Sequence, residues 1–374
     1  MRIGFDAKRL FRNYTGLGNY SRTLVKSLYE YHPEHDYYLF APELPGKNHF
    51  DFFVESENFK VVTPGRFALK SYWRSRGILS ALASNSIDLY HGLSHEIPFG
   101  LTDSPIKSVV TVHDIIHKIY PGQYSFIDRS IYDQKLKYSA VHADAVVAVS
   151  ESTKADLIRY YHIAPEKIHV VYQGIGEVFY RPLEARVLEE TKGVYDLPER
   201  YLLYVGSIIR RKNLLSLVKA FHQLRDRIDH TLIVIGDGGD YKEEVKKFIV
   251  ENGLKERVRF LQNVRQEELP PLYRLADVFI YPSEYEGFGI PLVEALSQNT
   301  PVITTRKSSL KEVGGDAATY VEPEEISAFA EKMFQLITNQ ELRSSCISKG
   351  KEQIALFDKK KIARQMMDIY EMIS

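Results

Sequence analysis

The sequence predicts an α/β protein built from two domains, each with a parallel sheet. Its 374 residues exceed the length of one ordinary core and fit two domains of usual size. Short apolar, β-branched runs alternate along the chain with stretches whose apolar residues recur at helical spacing, a pattern typical of parallel sheets. Glycine turns follow several of these runs. In such sheets ligands bind at the carboxyl ends of the strands.

Composition excludes several classes of protein. Apolar residues make up 44% of the chain and charged residues 26%, as in a soluble globular protein. The 49 basic and 49 acidic residues cancel, so overall charge gives no support to nucleic-acid binding. The single cysteine, Cys346, excludes an internal disulfide framework and a cysteine metal cluster, and it fits a reducing compartment. Because the sequence has no stretch of about 20 apolar residues, we expect a cytoplasmic protein whose membrane contact is peripheral.

The first half of the chain contains a glycine turn and two histidines at strand ends. Gly16 and Gly18 precede leucines at helical spacing, so they predict a turn that opens a helix, a geometry that cradles phosphate. A tight turn without a ligand is the alternative. His91 is interpreted as a hydrogen-bonded structural residue, whereas His113 is a candidate functional residue. The predicted strands of this half cover residues 2–6, 37–40, 59–62, 87–91, 109–114 and 145–150.

Residues 66–79 mix basic side chains with the only tryptophan, Trp73. Basic and aromatic residues interleaved on a helix suit an anionic membrane surface or a lipid-linked acceptor. The alternative, which we prefer, is a helix packed on its own domain through Phe67, Leu69, Trp73 and Ile78. Both interpretations can hold together.

The second half begins with a cationic loop. Residues 182–198 are charged and weakly periodic, which predicts a linker, and an apolar strand follows at 201–206. Arg210, Arg211 and Lys212 then lie between that strand and a helix. Arginine offers a planar fork and lysine a point charge, so cations at a helix start make a site for a diphosphate. A solvated basic loop is the alternative.

The segment 281–296 carries the second candidate site. It follows the apolar run 276–280, and its glycines and Pro291 predict a loop that opens a helix. The free N–H groups of such a helix start attract anions. Glu286 and Glu294 bracket the turn and cannot bind phosphate directly, so we expect them to bind sugar hydroxyls. A glutamate that only complements the helix dipole is the alternative for either one alone.

Together these segments resemble the retaining glycosyltransferases of the GT-B fold, in particular glycosyltransferase family 4 (glycosyl transferases group 1). Glu286 and Glu294 match the E-x7-E segment of that family, and residues 211–213 match its R-K-N phosphate clamp. His113, in Val-His-Asp, matches its donor-contacting histidine, and Asp114 is a candidate to orient that ring. Many members carry arginine where this chain has Ser207, so the clamp arginine is assigned to Arg211.

The resemblance implies two Rossmann-like domains whose parallel sheets face each other across a cleft. Residues 1–175 would form the acceptor-side domain, 176–198 a linker, 199–355 the nucleotide-sugar-binding domain, and 356–374 a helix that crosses back to the first domain.

The resemblance also implies roles for individual residues. His113 and Glu286 would be catalytic, and no metal ion or cofactor would take part. Metal independence agrees with the absence of an Asp-x-Asp motif. The donor would be bound by Gly16, Gly18, Arg211, Lys212, Asn263, Val264, Gly287, Phe288, Gly289 and Glu294.

The implied function is retaining transfer of a hexose from a nucleotide-diphosphate sugar to a glycan or lipid-linked acceptor. The segments 18–21 and 211–213 are similar to those of bacterial mannosyltransferases of surface-polysaccharide assembly, so we prefer GDP-mannose to a UDP-sugar. Retention can follow same-face attack assisted by the leaving phosphate, which we prefer, or a covalent sugar intermediate. The alternatives are a transferase-like non-catalytic subunit and another GT-B enzyme, such as a nucleotide-sugar epimerase.

Overall fold

The chain folds into two compact units, each an α/β structure around a parallel sheet, which confirms the predicted fold class. The computed structural model describes residues 1–44, 50–54, 57–65 and 69–374. Unit 1 consists of Met1–Ile175 together with Asp358–Ser374, and unit 2 consists of Gly176–Phe357.

The sheet of unit 1 has the order β3-β2-β1-β4-β5-β6-β7, with all described pairs parallel. Its central strands are almost continuously buried, because helices cover both faces of a parallel sheet. The strands are β1 Arg2–Asp6, β2 Asp36–Phe40, β3 Phe59–Val62, β4 Leu89–Gly92, β5 Lys107–Val112, β6 Ala145–Ala148 and β7 Ile168–Val170. The α-helices between them are α1 Lys8–Arg12, α2 Gly16–Tyr31, α3 Asp51–Val54, α4 Lys70–Tyr72, α5 Ile78–Ser84, α6 Ile116–Ile119, α7 Phe126–His142 and α8 Glu151–Tyr161.

The sheet of unit 2 has the order β10-β9-β8-β11-β12-β13 and is also parallel. The strands are β8 Tyr201–Val205, β9 Thr231–Ile235, β10 Val258–Leu261, β11 Val278–Tyr281, β12 Val302–Thr304 and β13 Ala318–Tyr320. The helices are α9 Ala185–Tyr195, α10 Leu214–Gln223, α11 Asp240–Glu251, α12 Leu269–Leu275, α13 Ile290–Ser297, α14 Leu310–Gly314, α15 Ile326–Thr338 and α16 Gln340–Gln353.

The last helix, α17 (Lys359–Ile373), belongs to unit 1. Its Ile362, Met366 and Tyr370 are buried in the same apolar core as β1 and α2. Asp358 caps its first turn by accepting a hydrogen bond from the backbone N–H of Lys361 at 3.0 Å. Unit 1 is therefore assembled from both ends of the chain.

Residues 176–198 lie within unit 2 and do not form the separate linker that the sequence predicts. The ring of the buried Phe179 lies 5.9 Å from that of Tyr273, and the Phe179 carbonyl accepts a hydrogen bond from the Gln298 side chain. These contacts attach the segment to the core of unit 2. Its charged character reflects the exposed face of α9.

The segment 66–79 is a helix only in part, and its residues 66–68, including Phe67, lie outside the described residues. Trp73 and Ile78 are buried in the core of unit 1, as the packing interpretation predicts. Leu69 is 78% exposed, so its predicted packing is wrong. Arg74 points inward and contacts the Asp6 carboxylate at 2.8 Å.

Within the described ranges, no helix combines the length and the apolar character needed to cross a bilayer.

Candidate functional site

The cationic loop and the glutamate loop meet at the topological switch point of unit 2. From β8 the chain adds β9 and β10 on one side and then returns to β11 on the other side of β8. The loops that leave the carboxyl ends of β8 and β11 therefore diverge and open a crevice, the usual ligand position in open α/β sheets. Arg211 and Lys212 lie in the first loop and Glu286 in the second.

Both clamp cations contact the Glu286 carboxylate. Arg211 is only 6% exposed, and its Nη1 lies 3.0 Å from Glu286 Oε1. The same guanidinium donates a hydrogen bond to the backbone oxygen of Tyr285. Lys212 Nζ lies 3.7 Å from Glu286 Oε1 and donates to the Tyr281 hydroxyl at 2.6 Å. The structure thus brings together three residues that the sequence singles out in two distant segments.

Two neutral donors complete the set of groups on Glu286. The Tyr281 hydroxyl and the Ser283 hydroxyl donate to Oε1 at 2.9 and 2.8 Å. Burial raises the pKa of Glu286, but Lys212 and Arg211 outweigh that effect and hold the pKa below its ordinary value. Glu286 is therefore an ionised carboxylate near neutral pH.

Arg210, which the sequence leaves without a role, points away from this cluster. Its side chain is 73% exposed, and its Nη2 lies 2.6 Å from Glu244 Oε2. The guanidinium also stacks on the Tyr241 ring, 5.4 Å from the centroid. Of three adjacent cations, the short 3₁₀ turn at 210–212 directs two towards Glu286 and one towards solvent.

The turn that carries Glu286 depends on Gly289 and on two serines. Gly289 has φ +108°, and a Cβ there would lie 2.8 Å from Leu310 Cδ2, so a larger residue is strained. The backbone N–H of Glu286 donates to Ser308 Oγ at 2.8 Å, and Ser309 Oγ donates to the Glu286 and Phe288 carbonyls. Gly287 and Phe288 are buried in this turn.

Glu294 lies in α13, which follows that turn. Glu294 is 6% exposed, and its carboxylate accepts a hydrogen bond from the Tyr273 hydroxyl at 2.9 Å. Burial raises the pKa of Glu294 to about 7, against the opposing effect of the Tyr273 hydrogen bond. Near neutral pH Glu286 is therefore ionised and Glu294 only partly so, because two cations lie beside Glu286 whereas burial dominates at Glu294.

Asn263 and Val264 lie on a different loop. They follow β10, which is separated from β8 by β9. Asn263 has φ +58° and is exposed, and Val264 is half-buried. Their assignment to donor binding stays a prediction.

In unit 1, His113 is buried and both of its ring nitrogens have partners. Nε2 lies 2.9 Å from the Leu93 carbonyl, and Nδ1 lies 3.0 Å from the Gln173 side-chain nitrogen. Because a carbonyl only accepts, Nε2 carries the proton and Nδ1 accepts from the amide. Burial lowers the pKa of His113 to about 3, so the ring is neutral. The hypothesis that Asp114 orients this ring is wrong, because Gln173 does so and Asp114 Oδ1 accepts from the Ile116 backbone N–H.

In the glycine turn of unit 1, a backbone N–H group is bonded to a side chain of the same loop. α2 begins at Gly16, and the N–H of Gly18 donates to Asn13 Oδ1 at 3.2 Å. A Cβ at Gly18 would lie 1.7 Å from the Asn13 carbonyl oxygen, so this close approach requires glycine. A Cβ added at Gly16 would lie in open space. Both remain predicted donor ligands.

His91 is the structural residue that the sequence predicts. It is fully buried, with Nδ1 2.6 Å from the Tyr370 hydroxyl of α17 and Nε2 2.8 Å from Thr111 Oγ1. Burial lowers the pKa of His91 to about 3.

Sequence reasoning missed the residues that hold the predicted ones in place. Tyr281, Ser283, Ser308 and Ser309 position Glu286, and Gln173 positions His113. Only Tyr281 and Ser283 have a signal in the sequence, since both lie at the end of the strand that leads to Glu286. In the described part of the chain, no group of three or more His, Cys, Asp or Glu side chains is arranged to hold a metal ion.

Comparison with solved structures defines the fold. Sucrose-phosphate synthase from Thermosynechococcus elongatus superposes with a TM-score of 0.81 at 21% identity, covering 100% of this chain and 99% of that one. WaaG, a glycosyltransferase involved in lipopolysaccharide biosynthesis, superposes with a TM-score of 0.72 at 18% identity over 98% and 99%. Anabaena HepE in complex with UDP and glucose gives 0.76 at 19% identity over 99% of each chain. The fold is that of the GT-B glycosyltransferases.

Sequence comparisons then give the family. Residues 14–177 match Glycosyltransferase Family 4, and residues 189–353 match Glycosyl transferases group 1. O-antigen chain mannosyltransferase B from Escherichia coli is 28% identical over the full length of both chains. O-antigen chain mannosyltransferase RfbU from Salmonella typhimurium is 31% identical, covering 77% of this chain and 74% of its own. The chain belongs to the family 4 glycosyltransferases and is a hexosyltransferase.

Proposed function

We propose that this enzyme transfers mannose from GDP-mannose to a glycan or lipid-linked acceptor in the assembly of a bacterial surface polysaccharide. Transfer retains the anomeric configuration and needs no metal ion. The names of the two O-antigen mannosyltransferases support the sugar and the pathway class. A UDP-sugar is the second candidate donor, because the related fold of HepE is seen with UDP and glucose.

The observation that carries the proposal is the convergence of Arg211 and Lys212 on Glu286. Breaking the bond between the anomeric carbon and the diphosphate releases negative charge on the leaving group. A guanidinium fork and an ammonium, both largely buried, stabilise that charge more strongly than exposed cations would. In this proposal Arg211 and Lys212 take the place of the divalent ion of metal-dependent transferases.

Glu286 acts on the sugar in this proposal. The contacts of Arg211, Lys212, Tyr281 and Ser283 with this carboxylate are made to Oε1, and we assign Oε2 to accept from a sugar hydroxyl. The ionised carboxylate also balances positive charge that develops at the anomeric carbon. Glu294 would bind the ribose hydroxyls of the nucleotide.

Same-face attack explains retention without a nucleophile from the protein. The leaving phosphate would accept the proton of the acceptor hydroxyl as the new bond forms on the face that the diphosphate leaves. Glu286 is engaged by four groups and its pKa is low, which favours a fixed hydrogen-bond acceptor over a nucleophile.

Contact with the inner face of the membrane is proposed for the segment that contains Leu69 and Tyr72. Both side chains are exposed, and Lys70 lies between them. Apolar side chains beside a cation suit an anionic interface. Sedimentation with anionic vesicles would test the contact, and unchanged binding of a Leu69→Ser, Tyr72→Ser variant would exclude it.

A donor panel tests the proposed function. GDP-mannose, UDP-glucose and UDP-N-acetylglucosamine would be incubated with the enzyme and a lipid-extract acceptor, with and without EDTA. We expect GDP release from GDP-mannose alone, at an EDTA-independent rate, and an α-linked product by NMR. Turnover of a UDP-sugar but not of GDP-mannose would show that the assigned donor is wrong. Loss of turnover in EDTA would overturn the metal-free mechanism.

A further inference from the structure

A chain of hydrogen bonds crosses the core of unit 1 and joins four side chains from four elements. The Tyr370 hydroxyl of α17 lies 2.6 Å from His91 Nδ1 on β4. His91 Nε2 lies 2.8 Å from Thr111 Oγ1 on β5, and that oxygen lies 2.9 Å from the Tyr20 hydroxyl of α2. All four residues are at most 4% exposed. Because a buried polar group without a partner is costly, each link of this chain holds the next side chain in place.

The chain ends beside His113. The Tyr20 ring meets the His113 imidazole at 88°, with the two ring centroids 4.6 Å apart, which is an edge-to-face contact. The Leu93 carbonyl and the Gln173 side chain hold the two ring nitrogens of His113. Two in-plane hydrogen bonds still allow the imidazole to tilt about the line that joins its nitrogens. A ring packed against the imidazole limits that tilt.

The glycine turn determines where Tyr20 lies. The close approach of Gly18 to the Asn13 carbonyl fixes the start of α2. One turn later, Arg22 Nη1 donates to the carbonyls of Leu10 and Asn13 at 2.7 and 2.9 Å. Tyr20 lies between Gly18 and Arg22 in the sequence, so the turn that carries it is held on both sides. The segment that the sequence predicts as a phosphate cradle therefore also gives Tyr20 a fixed position.

Stability alone does not account for this chain of polar side chains. Replacing both partners of a buried hydrogen bond with apolar groups of the same shape can be nearly neutral for stability. A core of phenylalanine and valine side chains could fill the same space. The alternative to a functional role is a polar chain that only makes the packing of the core unique.

We infer that Tyr20 is a positioning residue for His113, and that Thr111, His91 and Tyr370 hold Tyr20 in the orientation this requires. Helix α17 then contributes to the site without touching a substrate. The inference rests on the proposed function through the assignment of His113 as a donor-contacting residue. It deepens that function by adding a residue that acts through the imidazole.

NMR of the His113 imidazole tests the contact without turnover. The enzyme would be labelled with ¹⁵N- and ¹³C-histidine, and His113→Gln would identify the His113 signals. Tyr20→Leu removes the packed ring, so the signals should broaden or split as the imidazole takes up more than one orientation. Tyr20→Phe keeps the ring and loses its hydroxyl, so the change should be smaller.

Two further variants complete the set. Thr111→Val breaks the chain one link before Tyr20 and should reproduce the effect of Tyr20→Phe. Tyr37→Phe is the matched control, because Tyr37 is a tyrosine of the same core that is 1% exposed. Its hydroxyl donates to the carbonyls of Leu28 and His32, outside the chain, so its loss should leave the His113 signals unchanged. Urea denaturation of each variant ensures that folded protein is compared.

Kinetics then separates positioning from a purely structural role. Tyr20→Leu should lower kcat by about 10–100-fold, since misplacing a group by about 1 Å can cost about 10²-fold, while the donor KM changes by less than about twofold. Tyr37→Phe should keep kcat. In a His113→Gln background, Tyr20→Leu should cost little more, because residues that act as a unit are not additive.

The outcomes distinguish this inference from the proposed function. Unchanged His113 signals in Tyr20→Leu, or an additive loss of kcat in the double variant, would overturn the inference. If Tyr20→Leu does not fold, unchanged His113 signals in both Tyr20→Phe and Thr111→Val would overturn it. If the signals change but neither Tyr20→Leu nor His113→Gln affects transfer, the positioning stands and the role assigned to His113 fails.

Discussion

The Arg211 guanidinium lies 3.0 Å from the Glu286 carboxylate, and both side chains are largely buried. The pair joins loops that leave two adjacent strands, β8 and β11, so it also holds the switch point of unit 2 together. A bound diphosphate would bring further negative charge to the same guanidinium. With Lys212, the cluster contains two cations and one carboxylate, so it keeps a net positive charge that the diphosphate of the donor would offset.

Replacing Glu286 with glutamine should slow transfer by about 10²–10³-fold, because the carboxylate no longer balances charge at the anomeric carbon. The free energy of unfolding should fall by about 1–3 kcal/mol, since Arg211 loses its counter-charge. Glu331→Gln is the control, because Glu331 pairs with Arg227 at the surface of unit 2 and not with residues 211–213. Steady-state rates, urea denaturation and intact-protein mass would be measured. A glycosyl adduct on the wild type or the variant would contradict same-face attack.

Replacing Arg211 with lysine should weaken nucleoside-diphosphate binding by about 10–100-fold, because lysine cannot supply the planar fork. Charge-assisted hydrogen bonds are worth about 1.5–3 kcal/mol. Arg210→Lys should bind normally, since Arg210 faces Glu244 and solvent. Thermal shift with saturating GDP or UDP provides the measurement. Equal losses in the two variants would show that the fork at Arg211 is not the phosphate ligand.

Glu294 should make the ligand-free enzyme less stable as pH rises. Its pKa is raised from 4.5 to about 7, so the folded state holds a proton that the unfolded chain has already lost. Below about pH 4.5 Glu294 makes its full contribution to the free energy of unfolding. That contribution falls by about 3 kcal/mol as pH rises to about 7. The difference in free energy of unfolding between wild type and Glu294→Gln, measured from about pH 5 to 7.5, should follow that course. A difference independent of pH would exclude the raised pKa.

His91 should have the opposite effect in unit 1. The pKa of His91 is lowered from 6.5 to about 3. Its contribution to the free energy of unfolding is therefore fully present above about pH 6.5 and is lost as pH falls. Between about pH 6.5 and pH 5 the loss should be about 2 kcal/mol. His91→Gln, which cannot titrate, should show a shallower decline in urea denaturation. An unchanged slope would mean that His91 does not contribute to the acid sensitivity.

The strands and the two glycine turns were predictable, because each depends on a local pattern. Residues 201–205 and 278–281 are continuous apolar runs, and a buried parallel strand requires that pattern wherever it lies in the sheet. Gly289 was also predictable, since a glycine just before a proline in the first helical turn suits a loop that opens a helix, and Gly289 has positive φ.

Contacts between distant loops were not predictable. Arg210 and Arg211 have the same chemistry, and only the three-dimensional turn decides which of them faces Glu286. Gln173 orients His113 across 60 residues of chain, so the adjacent Asp114 was the wrong partner to infer. Strand order decides which loops meet, and strand order is set by the packing of the whole unit.

Because α17 completes the core of unit 1, the order of synthesis matters for folding. On the ribosome, unit 2 emerges as one continuous segment, whereas unit 1 waits for residues 358–374, which follow unit 2 in the sequence. Until Tyr370 has been synthesised, the apolar residues of α2 that pack against α17 stay exposed in nascent unit 1, and His91 lacks its hydrogen bond to the Tyr370 hydroxyl. A premature stop codon near position 358 would therefore damage the first-made unit more than the one beside the truncation.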